Sequence, residues 1–258
     1  MNAVLVGALT LPLLASLSAL LAGSRHPRLV GQLGAAAAGA GLVSALLIAL
    51  HVAVDGPISA TVRSARGTLI AELGANRLSA LLLVLVYGVS TVVQVFALRY
   101  LAGDRRSGWF TAGTGLLTAA SAGLMTSGTL IGLAVSWTLA GTALCLLQAT
   151  YWELPAARDG VLRTATAFLL GDLALWAAVG VITAQRGNVS LSDLGPAVYN
   201  GSSPALPVAA GLIVVAALSR SAQIPFIAGC RPPSLRPRPS RRSCTPVSSM
   251  PAACCWCG

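Results

Sequence analysis

The sequence predicts an all-α, polytopic membrane protein with about seven transmembrane helices. Three observations carry this expectation. Of the 258 residues, 55% are apolar and only 9% are charged, against roughly 25% charged in a soluble domain. Mean hydropathy is +0.79, and so few charges cannot clothe a soluble surface. Aromatic residues make up only 5%, so the bulk is Ala, Leu, Val and Gly, the small-residue chemistry of closely packed membrane helices.

Runs of roughly 18 or more apolar residues mark the spans. They fall at about 3–23, 30–53, 78–98, 109–127, 129–151, 163–184 and 204–226. The first run is a full span long and lacks a basic leader, so it does not read as a cleavable signal. A more polar segment, 55–77, separates the second and third spans. Within it Thr68–Leu73 reads as a short interfacial helix. Between the last two spans, Arg186–Pro204 carries Gly, Asn, Ser and Pro and reads as a loop. Residues 227–258 stand apart as an unstructured tail.

Charge sets the expected orientation. There is no lysine; all 17 basic residues are Arg. With the N-terminus outside, the inner loops hold Arg25, Arg28, Arg99, Arg105, Arg106, Arg158, Arg163 and Arg220. The outer loops hold Arg63, Arg66, Arg77 and Arg186. The excess of inner Arg favours that orientation in a cell membrane.

Ionisable groups inside spans are the functional candidates, because a charge at the bilayer centre costs at least about 2.5–3.5 kcal/mol. Asp172 lies midway along the sixth span, after Gly171. It reads either as a proton-path carboxylate or as a structural acid bonded to neighbouring helices. Arg220 lies in Ser219-Arg220-Ser221-Ala222-Gln223-Ile224-Pro225-Phe226. Pro225 cannot donate a backbone hydrogen bond, and Ser221 and Gln223 are polar, so a broken helix is expected. Such backbone is tolerated at membrane depth only where protein or water satisfies it. The alternative is an Arg reaching to the interface. His51, beside Asp55, reads as a solvated interfacial residue, and Trp137 and Cys145 as packing. Ser136 and Thr138 can bond across helices or back to their own. Before residue 230 there is no metal-ligand spacing, and there is no Gly-rich phosphate loop and no nucleophile–base arrangement. No catalytic, cofactor or metal site and no nucleic-acid partner is expected.

The order of motifs resembles the proton-antiporter family, which includes NADH-quinone oxidoreductase subunit L and multisubunit cation/proton antiporters. It starts at Asn76-Arg77-Leu78-Ser79, where the family commonly has Asp-Arg-Leu-Ser. It runs through Arg99-Tyr100-Leu101-Ala102-Gly103-Asp104, Trp109-Phe110, Ser136-Trp137, Tyr151-Trp152-Glu153 and Gly171-Asp172. It ends in the Ser219–Phe226 stretch, similar to the family's Gly-Lys-Ser-Ala-Gln-x-Pro. The resemblance implies a core of about 14 helices, of which this chain supplies the N-terminal half. It also implies a proton path using Asp172, Arg220, Ser221, Gln223 and Thr138. Thr138 stands where subunit L carries a Glu, and Arg220 where the family has a Lys. Leu169 replaces the usual basic residue before Gly-Asp. Arg does not deprotonate in proteins, so a Glu–Lys mechanism does not transfer directly. Absence of the Glu resembles the membrane channel of the two-part inorganic carbon transporter, whose implied partner is a large soluble zinc-containing subunit. Alternatives are a respiratory-complex subunit among other membrane subunits and a non-transporting membrane scaffold.

The tail after Phe226 holds five of the six Cys and five of the Arg. Taken literally it reads as a basic recognition segment, a metal or redox cluster, or a disordered tail. The genetic code offers a frameshift instead. Restoring one base after the Phe226 codon forces Ala from Met250–Pro251, Leu from Cys254–Cys255 and Val from Trp256–Cys257. The free positions then permit Ala-Pro-Thr-Pro-Val-Ser-Ala-Leu-Leu-His-Ala-Gly, which resembles the family's continuation. On this reading the chain is truncated and inactive as written.

Overall fold

The computed structural model describes residues 2–22, 27–63, 69–101, 106–152, 155–187, 190–192 and 205–221. Seven long helices run through them: α1 (Asn2–Ala22), α2 (Pro27–Val54), α3 (Arg77–Tyr100), α4 (Ser107–Thr126), α5 (Leu130–Gln148), α6 (Pro155–Arg186) and α7 (Ala205–Arg220). By length and composition α1, α2, α3, α5 and α6 can each cross a bilayer. The expected polytopic all-α fold is thus present, with two refinements. First, α6 begins at Pro155, before the apolar run does. Proline suits the first helical position because its missing N–H would have no intrahelical partner there. Second, α7 has 16 described residues, about 24 Å of helix.

Residues 69–73 are not helical. They belong to β2 (Leu69–Ala75), which pairs antiparallel with β1 (Ile58–Arg63). Ile58, Thr61 and Val62 are β-branched, and β-branched side chains suit a pleated strand better than a helix. Backbone bonds tie this hairpin to two other connections. Gly128 N donates to Glu72 O at 2.7 Å, and Leu191 N to Gly128 O at 2.7 Å. The loops after α2, α4 and α6 are therefore joined on one face of the bundle.

Helix α4 is the hub, packed on α1, α2, α3 and α5. Its sequence, rich in Gly, Ala, Ser and Thr, explains this. Small residues let backbones approach, while the hydroxyls return to their own helix. Thr118 Oγ1 donates to Thr114 O at 2.7 Å and Thr126 Oγ1 to Ala122 O at 2.9 Å. Across the interface Ser90 Oγ and Thr118 Oγ1 are 2.7 Å apart.

A proline creates one of the interhelical contacts. Pro12 lies inside α1 and has no N–H, so the carbonyl four residues back, Ala8 O, lacks its helical donor. The Tyr87 hydroxyl, on the fully buried face of α3, donates to that oxygen. Gly41 of α2 makes room for the ring: a Cβ there would stand 2.4 Å from Tyr87 Cε1. Tyr87→Phe is expected to cost about 1–3 kcal/mol, the desolvation penalty of an orphaned acceptor. Pro12→Ala restores the helical donor, so the cost of losing the hydroxyl should fall sharply in that background. Additive effects in a double-mutant cycle, read from detergent unfolding midpoints, would refute this account.

Candidate functional site

The α6–α7 interface brings Asp172 and Arg220 together. Asp172 lies about 20 Å or more from either end of α6. Arg220 is the last residue of α7. Arg220 Nη2 donates to Asp172 Oδ1 at 3.0 Å, with side-chain exposures of 15% and 18%. The same nitrogen donates to Trp137 O, on α5, at 2.8 Å. The guanidinium carbon stands 4.8 Å from the Trp137 ring centroid and 4.4 Å from that of Phe168. Aromatic faces attract a cation, most strongly where water is scarce. The cation is therefore compensated by one carboxylate, one carbonyl and two aromatic rings.

Two glycines make this seat possible. A Cβ on Gly171 would stand 1.8 Å from Ser219 Oγ, so α6 and α7 touch only because none is there. A Cβ on Gly141 would stand 2.5 Å from Arg220 Nη2. Gly141 is four residues after Trp137, on the same helical face. The site is also incompletely satisfied. Arg220 Nε and Trp137 Nε1 are both buried without an acceptor among the described residues. An open groove of about 440 Å³ between α5 and α6, lined by Cys145, Phe168 and Leu169 among others, has Asp172 in its wall.

Residues 69–111 match the family described as NADH-ubiquinone oxidoreductase (complex I), chain 5 N-terminus. The probable inorganic carbon transporter subunit DabB1 of Halothiobacillus neapolitanus is 27% identical over 223 residues, 84% of this chain and 40% of that protein. The F(420)H(2) dehydrogenase subunit L of Methanosarcina mazei is 30% identical over 113 residues, 44% of this chain and 17% of that one. A chain of the solved Mrp complex from Dietzia sp. superposes with a TM-score of 0.70 at 26% identity, over 87% of this chain and 24% of that chain. This is an antiporter-like membrane subunit. It spans at most 40% of the length of these two curated relatives.

Within this antiporter-like chain the expected path residues divide. Asp172 and Arg220 meet. Thr138 does not join them: its hydroxyl donates to Val135 O on its own helix at 2.9 Å. Ser221 is exposed, and its hydroxyl turns back to Ala217 O at 2.7 Å. Gln223, Pro225 and the tail 227–258 lie outside the described residues. His51 bonds Asp55 at 2.6 Å through Nδ1, a half-exposed pair one helical turn apart. Among the described residues no group of three His, Cys, Asp or Glu could hold a metal. Sequence reasoning missed Phe168 and Gly141 and read Trp137 as packing alone. The spacing of Trp137 and Gly141 was the available signal, a ring beside a vacancy on one helix face.

Proposed function

We propose that this chain belongs to a proton-translocating membrane subunit that energises inorganic carbon uptake, as bicarbonate or CO2, together with a soluble zinc-containing partner. It would sit in the cell membrane with its N-terminus outside. The observation that carries this reading is the Asp172–Arg220 pair at membrane depth. Arg220 stays charged throughout, so the proton must travel on Asp172 and water. Nη2 occupies Oδ1, so a proton arriving at Asp172 meets the other carboxylate oxygen or displaces the guanidinium. The unpartnered Arg220 Nε offers a place for a water oxygen or an acceptor from another segment. The likeness to DabB1 along 84% of the chain supports the inorganic-carbon branch.

The 69–111 match to complex I chain 5 supports a second reading, a subunit L-like part of a respiratory proton pump. Both readings are tested by expressing the restored reading frame, purifying the protein with its native partners and assaying labelled bicarbonate uptake with and without a protonophore. Co-purification with a zinc protein and protonophore-sensitive uptake is the expected result. Co-purification with redox subunits would replace the first reading by the second. For the intact reading frame, Asp172→Asn should abolish proton flux in liposomes containing a pH-sensitive dye. Flux at the parent rate would remove Asp172 from the path. We propose in addition that residues 227–258 arise from a shifted frame. Resequencing across the Phe226–Ile227 codons tests this, and an unchanged base sequence there would overturn it.

A further inference from the structure

Helices α2 and α3 enclose an open groove of about 650 Å³ lined by Leu46, Ala49, Val52, Ala80, Leu81 and Val84, with Arg77 among its lining residues. Arg77 opens α3, and Val84 lies seven residues further on. The groove therefore runs about 10 Å along the helix from its terminus, roughly the depth of the upper part of an acyl chain. Leu81 is 62% exposed and in a membrane-spanning helix faces lipid. At the terminus the charge is unbalanced. Arg77 is exposed and forms no ion pair among the described residues. A cation in the first turn is opposed by the helix dipole. The neighbouring cap is neutral: Asn76 Oδ1 accepts from Ser79 N at 2.8 Å. On the α2 side Asp55 is held by His51 at 2.6 Å. The first-turn amides of Arg77 and Leu78 have no helical acceptor.

We infer that this groove binds an acyl chain of an anionic phospholipid whose phosphate is held by Arg77. The charge complementarity is local: a guanidinium without an ion pair among the described residues lines an apolar channel beside a neutral cap. An aspartate at residue 76 would cap the helix equally well but would place a carboxylate beside the guanidinium and repel the phosphate. The neutral Asn76 thus sets the lipid preference.

The test is native mass spectrometry of the full chain in detergent, titrated with palmitoyl-oleoyl phosphatidylglycerol or the phosphatidylcholine of the same chains. Phosphatidylglycerol should bind about fivefold more tightly, as expected of one basic residue near a lipid phosphate. Arg77→Gln and Asn76→Asp should each reduce that preference to less than about twofold. Ala53→Leu, at an exposed lining position, should weaken both lipids by at least about threefold. Far-UV circular dichroism checks that each variant keeps its helices. Equal affinity for the two lipids, or a preference that survives Arg77→Gln, overturns the inference. So does unchanged binding in Ala53→Leu, or displacement of phosphatidylglycerol by equimolar sn-glycerol 3-phosphate, which has the phosphate but no chains.

Discussion

Asp172→Ala is expected to lower the unfolding free energy by about 3–5 kcal/mol. The penalty arises because a cation that is 15% exposed loses its carboxylate and keeps only the Trp137 carbonyl and two ring faces. Arg220→Ala should cost a similar amount, since it leaves an unpaired carboxylate between α6 and α7. The double variant Asp172→Leu with Arg220→Met should be far more stable than the sum of the two losses implies, because no charge then needs compensation. Detergent-titration midpoints followed by circular dichroism supply the cycle. Two small, additive losses would mean that solvent already screens the pair. The cycle also separates architecture from transport. In the intact reading frame, where the parent conducts, a double variant that folds but carries no protons assigns the pair to the path, whereas one that folds and conducts assigns it to structure.

Gly171→Val is the second large effect, expected to cost about 3 kcal/mol or more by overpacking. An added Cβ meets Ser219 Oγ at 1.8 Å and Ser219 Cβ at 2.8 Å. Ser219 cannot yield easily, being 3% exposed with its hydroxyl bonded to Ala216 O at 2.7 Å. The two helices must therefore part, and Asp172, the next residue, moves away from Arg220. Ser219→Gly removes both obstructing atoms and should recover much of the loss in the Gly171→Ala background. Thermal midpoints of the single and double variants decide this. Equal losses with and without Ser219→Gly would mean that the α6–α7 contact is not the source of the strain.

The membrane fold was legible because a span is a local average. About 20 apolar residues mark a helix wherever its neighbours lie, and α1, α2, α3, α5 and α6 were found that way. The sequence marked 109–127 as one more apolar span, and the burial of α4 among its neighbours emerged only from the packing. The chemical reason for singling out Asp172 and Arg220 was equally local: each is an ionisable group in an apolar run.

Tertiary structure alone decided that these two residues, 48 positions apart, face each other. Pairing depends on how α6 and α7 are rotated about their own axes, and helices apolar on every side carry no stripe that reports rotation. The same reason hid Phe168 and Gly141, whose roles exist only once the Arg220 guanidinium is seated between α5 and α6. It also separated Thr138 from the pair, although Thr138 follows the residue whose carbonyl Arg220 holds. The hairpin β1–β2 was missed because strand pairing is a contact between segments, and residues 69–73 taken alone fit either a short helix or a strand. What local hydropathy determined is which segments enter the bilayer. Which face each helix turns to its neighbour, and so which polar groups meet, was settled by packing: small residues admit close approach, and buried charges must find partners.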